Sequence, residues 1–244
     1  MGPTLRGIRL DRSSPLRDQI YAVLRRLIVT GRVQPGEVID EKAIAAQLGV
    51  SRTPVREAVK KLTDEHLVVV AAQSSTRASN IDPHDVEQAF VIRRALEVES
   101  AGLASRRISR ADIDALSDIL ASHAQAMRRK DFGEAIAIDD RFHARIAEIS
   151  GMPRLWHAIE ISKAQLDRCR HLMVPRAGEA AATLSQHRAI IKALATKDPA
   201  KAQRAMADHL EKNYANTRKM LETERVDRIF ARHNGRASRN GTRS

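Results

Sequence analysis

The stretch Gln34-Pro-Gly-Glu-Val-Ile-Asp-Glu-Lys-Ala-Ile-Ala-Ala-Gln-Leu-Gly-Val-Ser-Arg-Thr-Pro-Val-Arg-Glu-Ala-Val-Lys-Lys-Leu62 joins a Pro-Gly turn, a short amphipathic helix, a glycine turn and a second helix without a gap. Asp40 is placed to cap the first helix, whose apolar residues Ala43, Ile44, Ala45 and Leu48 fall on one side. Gly49 supplies the sharp exit that lets two helices pack at a steep angle. Ser51 is expected to cap the second helix by accepting from an amide two or three residues on, and Pro54 sits in its first turn, where a missing N–H costs nothing. Val55, Ala58, Val59 and Leu62 form an i, i+3, i+4, i+7 inner stripe, which leaves Arg52, Arg56 and Lys60 stacked on a different face. Cations at that spacing suit phosphates and guanine edges in a major groove. Basic helical faces also serve simply to keep a surface solvated, and the row by itself does not separate the two readings.

The segment as a whole closely resembles the winged-helix domain of the GntR family of bacterial transcription regulators. The resemblance implies a winged helix-turn-helix over residues 10–80 that reads double-stranded operator DNA. It assigns the contacts to Lys42, Ser51, Arg52, Thr53, Arg56 and Lys60, with Arg77 added from the wing. Upstream, Leu16, Ile20, Val23, Leu24 and Leu27 keep helical spacing from about Pro15 to Thr30, and Gly31 closes that scaffold helix. Downstream, Leu67 to Val70 and Ala78 to Ile81 read as two short strands flanking the polar run Gln73 to Arg77, which is a wing. Relatives usually carry a glycine where His66 stands and another at the wing tip, where this chain has only Ser and Thr.

Composition agrees with a polyanionic partner. The 244 residues carry 42 Lys and Arg against 30 Asp and Glu, a net charge of +12. The excess sits at the ends: residues 1–80 hold 13 basic against 8 acidic side chains and residues 223–244 hold 6 against 2, while residues 81–222 hold 23 against 20. A 43% apolar fraction is enough for two modest cores. No apolar run approaches the roughly 20 residues of a membrane span, and a signal-peptide core is lacking, so a soluble, cytoplasmic protein is expected. Cys169 is the sole cysteine, which excludes an intrachain disulfide and a cysteine-cluster zinc site and reads as a small buried or half-buried side chain.

From Asp82 onward the strand signal disappears. Helices are expected at about 83–107, 110–129, 132–150, 153–173, 178–196 and 199–222, punctuated by Asp82-Pro83, the capping-box pattern Ser109-x-x-Asp112, Gly151 and Asp198-Pro199. Six or so helices with short connections make an all-α antiparallel bundle over residues 82–222, so the chain as a whole is mainly α. With only seven aromatic side chains, its core must be built from Ala, Leu and Ile. Residues 223–244 are basic and polar without an apolar stripe and are expected to form a disordered tail.

Inside the bundle, Asp139 and His143 are four residues apart and project from one helical face, a spacing at which a carboxylate and an imidazole can meet one metal. His187 and His209 lie on later helices beside apolar stripes and can also face inward. The remaining histidines, His66, His84, His123, His157, His171 and His233, read as surface residues or satisfied partners of carboxylates. Arg93-Arg-Ala-Leu-Glu97, Asp139-x-x-x-His143, His187 and His209 together resemble the FCD-type ligand-binding domain of the FadR-like branch of the GntR family, in its metal-containing form. The resemblance makes Asp139, His143, His187 and His209 the ligands of a divalent transition metal such as zinc, nickel or manganese. It makes Arg93, and after it Arg170, the candidate that pairs with an organic-acid effector; a salt bridge from Arg93 to Glu97 is the competing role.

The resulting expectation is a DNA-binding transcription regulator, a metabolite-responsive repressor that binds an inverted repeat as a homodimer and senses a small carboxylate through a metal, with no membrane partner and no enzymatic activity. Two other readings compete. The same donor set in a metal-dependent hydrolase-like enzyme would activate water, but no second carboxylate or nucleophile stands at motif spacing, and the helix-turn-helix would be unexplained. A general nucleic-acid-binding protein would use the bundle only as structure.

Overall fold

The computed structural model describes residue 5 and residues 7–71, 75–174 and 179–223. The chain divides into two compact units, one of residues up to Asp85 and one from Val86 onward. The expected basic tail and most of the wing tip, Gln73 and Ser74 included, lie outside the described residues.

In the first unit, α1 (Leu16–Val29), α2 (Glu41–Leu48) and α3 (Arg52–Asp64) precede two antiparallel strands, β1 (Val68–Ala71) and β2 (Ser75–Ala78). Ile20, Leu24 and Ile28 of α1, Ile44 of α2 and Val55, Ala58, Val59 and Leu62 of α3 are buried together as one apolar core. Asp40 caps α2, its side chain accepting from the amides of Lys42 at 2.9 Å and Ala43 at 3.0 Å. Gly49 ends that helix in the left-handed conformation, with φ 64°. Ser51 precedes α3 in extended conformation but makes no side-chain capping bond, which corrects its assignment as a cap. The second wing strand is also earlier than expected. It spans Ser75–Ala78, pairing Val68 with Ala78 and Val70 with Thr76, because hairpin register and not apolar content fixes its position.

The segment before α2 also joins the wing. Ile39 donates to the Thr76 carbonyl at 2.8 Å, Ala78 donates to that of Glu37 at 2.9 Å, and Val38 bridges antiparallel to Arg77. A buried Glu65 ties α1 to the end of α3, accepting from the Tyr21 hydroxyl and pairing with Arg25 Nε at 2.9 Å. His66, at the position relatives fill with glycine, has φ 58°, a conformation that glycine adopts without steric cost and histidine does not.

The second unit is all helical: α4 (Pro83–Arg107, begun at the unit boundary), α5 (Arg110–Arg128), α6 (Phe132–Ile149), α7 (Pro153–Ser162), α8 (Ala164–Met173), α9 (Glu179–Ala195) and α10 (Pro199–Thr223). Ser109 and Asp112 form the expected capping box on α5. Ala101, Leu116, Phe142, Ile146, Ile190, Leu194, Met206 and Leu210 bring α4, α5, α6, α9 and α10 into one core. The helix expected over 153–173 is in fact two, so this bundle has seven helices among the described residues. The break falls at Lys163, whose ψ of 4° departs from helical values and whose buried ammonium binds Asp140 at 2.7 Å and both oxygens of Asp167 at 2.7 and 2.8 Å. Among the described residues no helix is long and apolar enough to cross a membrane.

Three substitutions probe the winged helix by denaturant unfolding. Asp40→Ala should cost about 1 kcal/mol through loss of two capping bonds. Ser51→Ala should leave stability unchanged, and His66→Gly should add about 1 kcal/mol by relieving the left-handed backbone.

Candidate functional site

On the outer face of α3, Arg52, Thr53, Arg56 and Lys60 are exposed, as are Ser51 before it and Lys42 on α2, so the face opposite the buried stripe is free to meet a partner. Arg77 is exposed on the wing, with Nη1 donating to the Gly36 carbonyl and Nε to the Ser75 hydroxyl, each at 2.9 Å.

In the helical unit, α6 aims Asp139 and His143 inward, α9 adds His187 and α10 adds His209, and all four are buried. His143, His187 and His209 each offer a ring nitrogen within 4.8 Å of the others. Asp139 approaches His187 Nε2 at 3.4 Å and His143 Nε2 at 3.9 Å. Three of the four sequence-predicted ligands, His143, His187 and His209, thus form one cluster, and Asp139 borders it through His187 and His143.

A fifth residue joins them. His123 of α5 forms a second cluster with Asp139 and His187, again within 4.8 Å. It had been grouped with surface and structural histidines. Its place on the buried stripe Leu116, Leu120, His123 of α5 was the available signal, since an imidazole in register with core leucines must face inward.

The site is framed by carboxylates and guanidinium groups. Glu97 contacts His143 Nδ1 with one oxygen and Arg93 Nε with the other. Gln186 lies 2.8 Å from His209 Nδ1. Each of these partners takes an Nδ1, the way an outer partner orients a metal-ligating imidazole. The pairing of Arg93 with Glu97 is thus real, but the Arg93 Nη2 nitrogen is buried without a hydrogen-bond partner, as are both nitrogens of His187 and His143 Nε2. Arg170 is fully occupied: Nη2 holds Asp139, and Nη1 holds Asp140 at 2.7 Å and Asp167 at 3.1 Å.

Electrostatics follow from burial and pairing. Burial alone would raise the Glu97 carboxyl, but Arg93 and His143 hold it down at about 2. Asp139 is likewise kept well below the usual carboxylate range against its burial, chiefly by Arg170 and then by His187 and His143. Burial pushes His187 down to about 3 despite Asp139, and depresses His209 and His123 as well. Neutral imidazoles beside an ionised carboxylate are the protonation states that a metal ligand set requires. Cys169 is buried nearby on α8, and burial raises its thiol to about 12.

A partly open cavity of about 80 Å³ adjoins Asp139. Arg93, His123 and Arg170 line it beside apolar side chains from α4, α5, α6, α8 and α10.

Comparison with known proteins gives two family matches, "Bacterial regulatory proteins, gntR family" over residues 16–77 and "FCD domain" over residues 88–212. The chain is 31% identical over 214 residues to the HTH-type transcriptional repressor RspR of Escherichia coli K12, spanning 88% of this chain and 94% of that protein. It is 34% identical over 194 residues to an HTH-type transcriptional regulator in an unstable DNA locus of Streptomyces ambofaciens, spanning 80% and 81%. Among solved structures, E. coli McbR/YncC matches with a TM-score of 0.73 at 24% identity over 85% of this chain and 99% of that one, a likeness of fold.

The ionisation pattern sets the acid response of the helical unit in chelator. Unfolded, His187 takes up a proton near 6.5 and Glu97 near 4.5, whereas in the folded protein they do so only near 3 and 2. Stability is therefore full above pH 6.5 and falls as pH drops, by about 2 kcal/mol from His187 alone between pH 7 and 5. Urea midpoints across that range measure it, and His187→Phe should make the fall shallower.

Proposed function

The chain belongs to the GntR family of bacterial transcription regulators, in the FadR-like branch with an FCD domain, and from that premise we propose that it is a metal-dependent, carboxylate-responsive repressor. DNA-binding regulation of transcription is the family's activity, which sets aside the hydrolase-like reading and the merely architectural one. The finer reading is a homodimer that grips an inverted-repeat operator and lets go when a small organic acid enters the helical domain. The name of the E. coli relative, a repressor, supports the sign of regulation.

The exposed row Arg52, Arg56 and Lys60 supports groove contact by α3, with Lys42, Ser51 and Thr53 on phosphates and Arg77 reaching from the wing after releasing Gly36. One such helix covers few base pairs, so pairing of two subunits supplies the selectivity.

The observation that carries the sensing half is the set of buried, unpartnered nitrogens on His143 and His187 beside His209 and Asp139. Unsatisfied nitrogens in a core are costly unless something else satisfies them, and three imidazoles with one carboxylate suit zinc, nickel or manganese. Held by these four residues, an ion that takes five or six ligands would keep positions open to an anion. Arg93, with its spare Nη2, is the counter-ion for the effector's carboxylate; Arg170 acts behind it by orienting Asp139.

Two measurements test this reading. His187→Ala or His209→Ala should lose bound metal by elemental analysis and, with it, the response of operator binding to added acids. A variant that lacks metal and still answers the acid normally would place sensing elsewhere. Arg52→Ala and Arg56→Ala should each weaken specific binding by about 1–3 kcal/mol per base contact in gel shifts, with metal content at the wild-type level; undiminished operator affinity in both would overturn the α3 assignment.

A further inference from the structure

The cavity beside Asp139 joins the charged side chains of Arg93, Asp139 and Arg170 to a mainly apolar wall. Of its polar wall residues, Thr217 donates to the Asn213 carbonyl at 3.0 Å and contacts Met173 Sδ, while Asn213 Nδ2 lies 3.3 Å from the ring nitrogens of His209. Thr183 is engaged as well, and Arg170 is committed to three carboxylates. What remains is Arg93 Nη2, buried without a hydrogen-bond partner, and the His123 ring beside Asp139 and His187. The rest of the wall is largely apolar: Phe90, Met127, Ile136, Leu166 and Met173, together with the ring of Tyr214, whose hydroxyl is its one polar atom. Phe90 and Tyr214 stack with centroids 4.0 Å apart and planes 6° from parallel, which gives that wall a rigid aromatic panel.

A ligand with hydroxyls or further carboxylates along its length would bury most of them against apolar side chains, with few hydrogen bonds to meet them. Each unmatched hydroxyl costs about tenfold in affinity, and an unmatched charge more. A ligand with one anionic head and a hydrocarbon body matches both ends of the cavity.

We propose that the effector is a small monocarboxylate with a compact aliphatic or aromatic body, its head group held by Arg93 and His123 and its body packed against Phe90, Met127, Leu166 and Tyr214, and not a sugar acid or a tricarboxylate. This inference rests on the carboxylate-sensing reading above and specifies it. His123 is in that case a specificity residue of the site: it presents an N–H to the head group from α5, outside the proposed set of metal ligands.

The test is calorimetric titration of the zinc-loaded full-length protein with acetate, butyrate, hexanoate and phenylacetate, and in parallel with gluconate and citrate. Affinity should rise about three- to fourfold per methylene from acetate to hexanoate, with phenylacetate comparable to hexanoate and gluconate and citrate at least tenfold weaker. Met127→Gln should weaken hexanoate about tenfold and acetate less than twofold. A flat series, equal losses for both acids in Met127→Gln, or tighter binding of gluconate or citrate would overturn the apolar-body assignment while leaving carboxylate sensing in place. Failure of all six acids to bind, or failure of the protein to take up zinc, would bring down the sensing reading and this inference together.

Discussion

Removing a carboxylate or guanidinium from water costs several kcal/mol unless a partner and good hydrogen bonds go with it. The helical unit meets that constraint repeatedly. Arg93, Glu97, Asp139, Lys163 and Asp167 are all buried, together with the four imidazoles of His123, His143, His187 and His209. These five persist inside a bundle poor in aromatic side chains because each faces an opposite charge: Glu97 faces Arg93 and His143, Asp139 faces Arg170, and Asp167 faces Lys163 and Arg170. Removing one member would strand its neighbour, so helix positions are dictated as much by ion pairing as by the Ala, Ile and Leu core. The pairing explains why α4 carries Arg93, Glu97 and Ser100 on the same buried stripe as Val86, Ala89, Ala101 and Ala104.

Asp139 and Asp140 show how finely α6 divides this work. Adjacent on the helix, they leave it about 100° apart. Asp139 turns to the histidines and shares Arg170 with Asp140, whose other oxygen holds Lys163 at the start of α8. One guanidinium therefore connects the donor cluster to the backbone break between α7 and α8. Phe142, one turn beyond, stacks on the His187 ring with centroids 4.2 Å apart, so the same helix also fixes that imidazole from its face.

The parts of the molecule legible in the sequence are those governed by local chemistry. Asp40, Gly49 and the stripe Val55, Ala58, Val59, Leu62 act through neighbours one turn away, and the helix-turn-helix followed from them. The capping box at Ser109 and the i, i+4 pair Asp139 and His143 were readable for the same reason. What was missed depends on contacts between distant residues. No glycine or proline marks Lys163, because the helix breaks there for the sake of Asp140, 23 residues earlier. His123 enters the site through α9 and α6, and the second wing strand takes its register from β1 and from residues 37–39. The glycine expected at position 66 is explained by geometry: the backbone is left-handed there, and the histidine tolerates it at a cost.

The bonds from Glu37 and Ile39 to the wing place β2 between two partners, with β1 on its other side. A strand flanked on both sides has no free edge, and this one is also wired directly to the residues that begin α2. In the DNA-binding role proposed above, Arg77 on the wing and Arg52 and Arg56 on α3 would act as the jaws of one hydrogen-bonded calliper, spaced before any duplex arrives. Little ordering entropy remains to be lost on docking, and a groove of the wrong width must itself deform to be gripped. Such a calliper measures the shape of the double helix as well as its base edges.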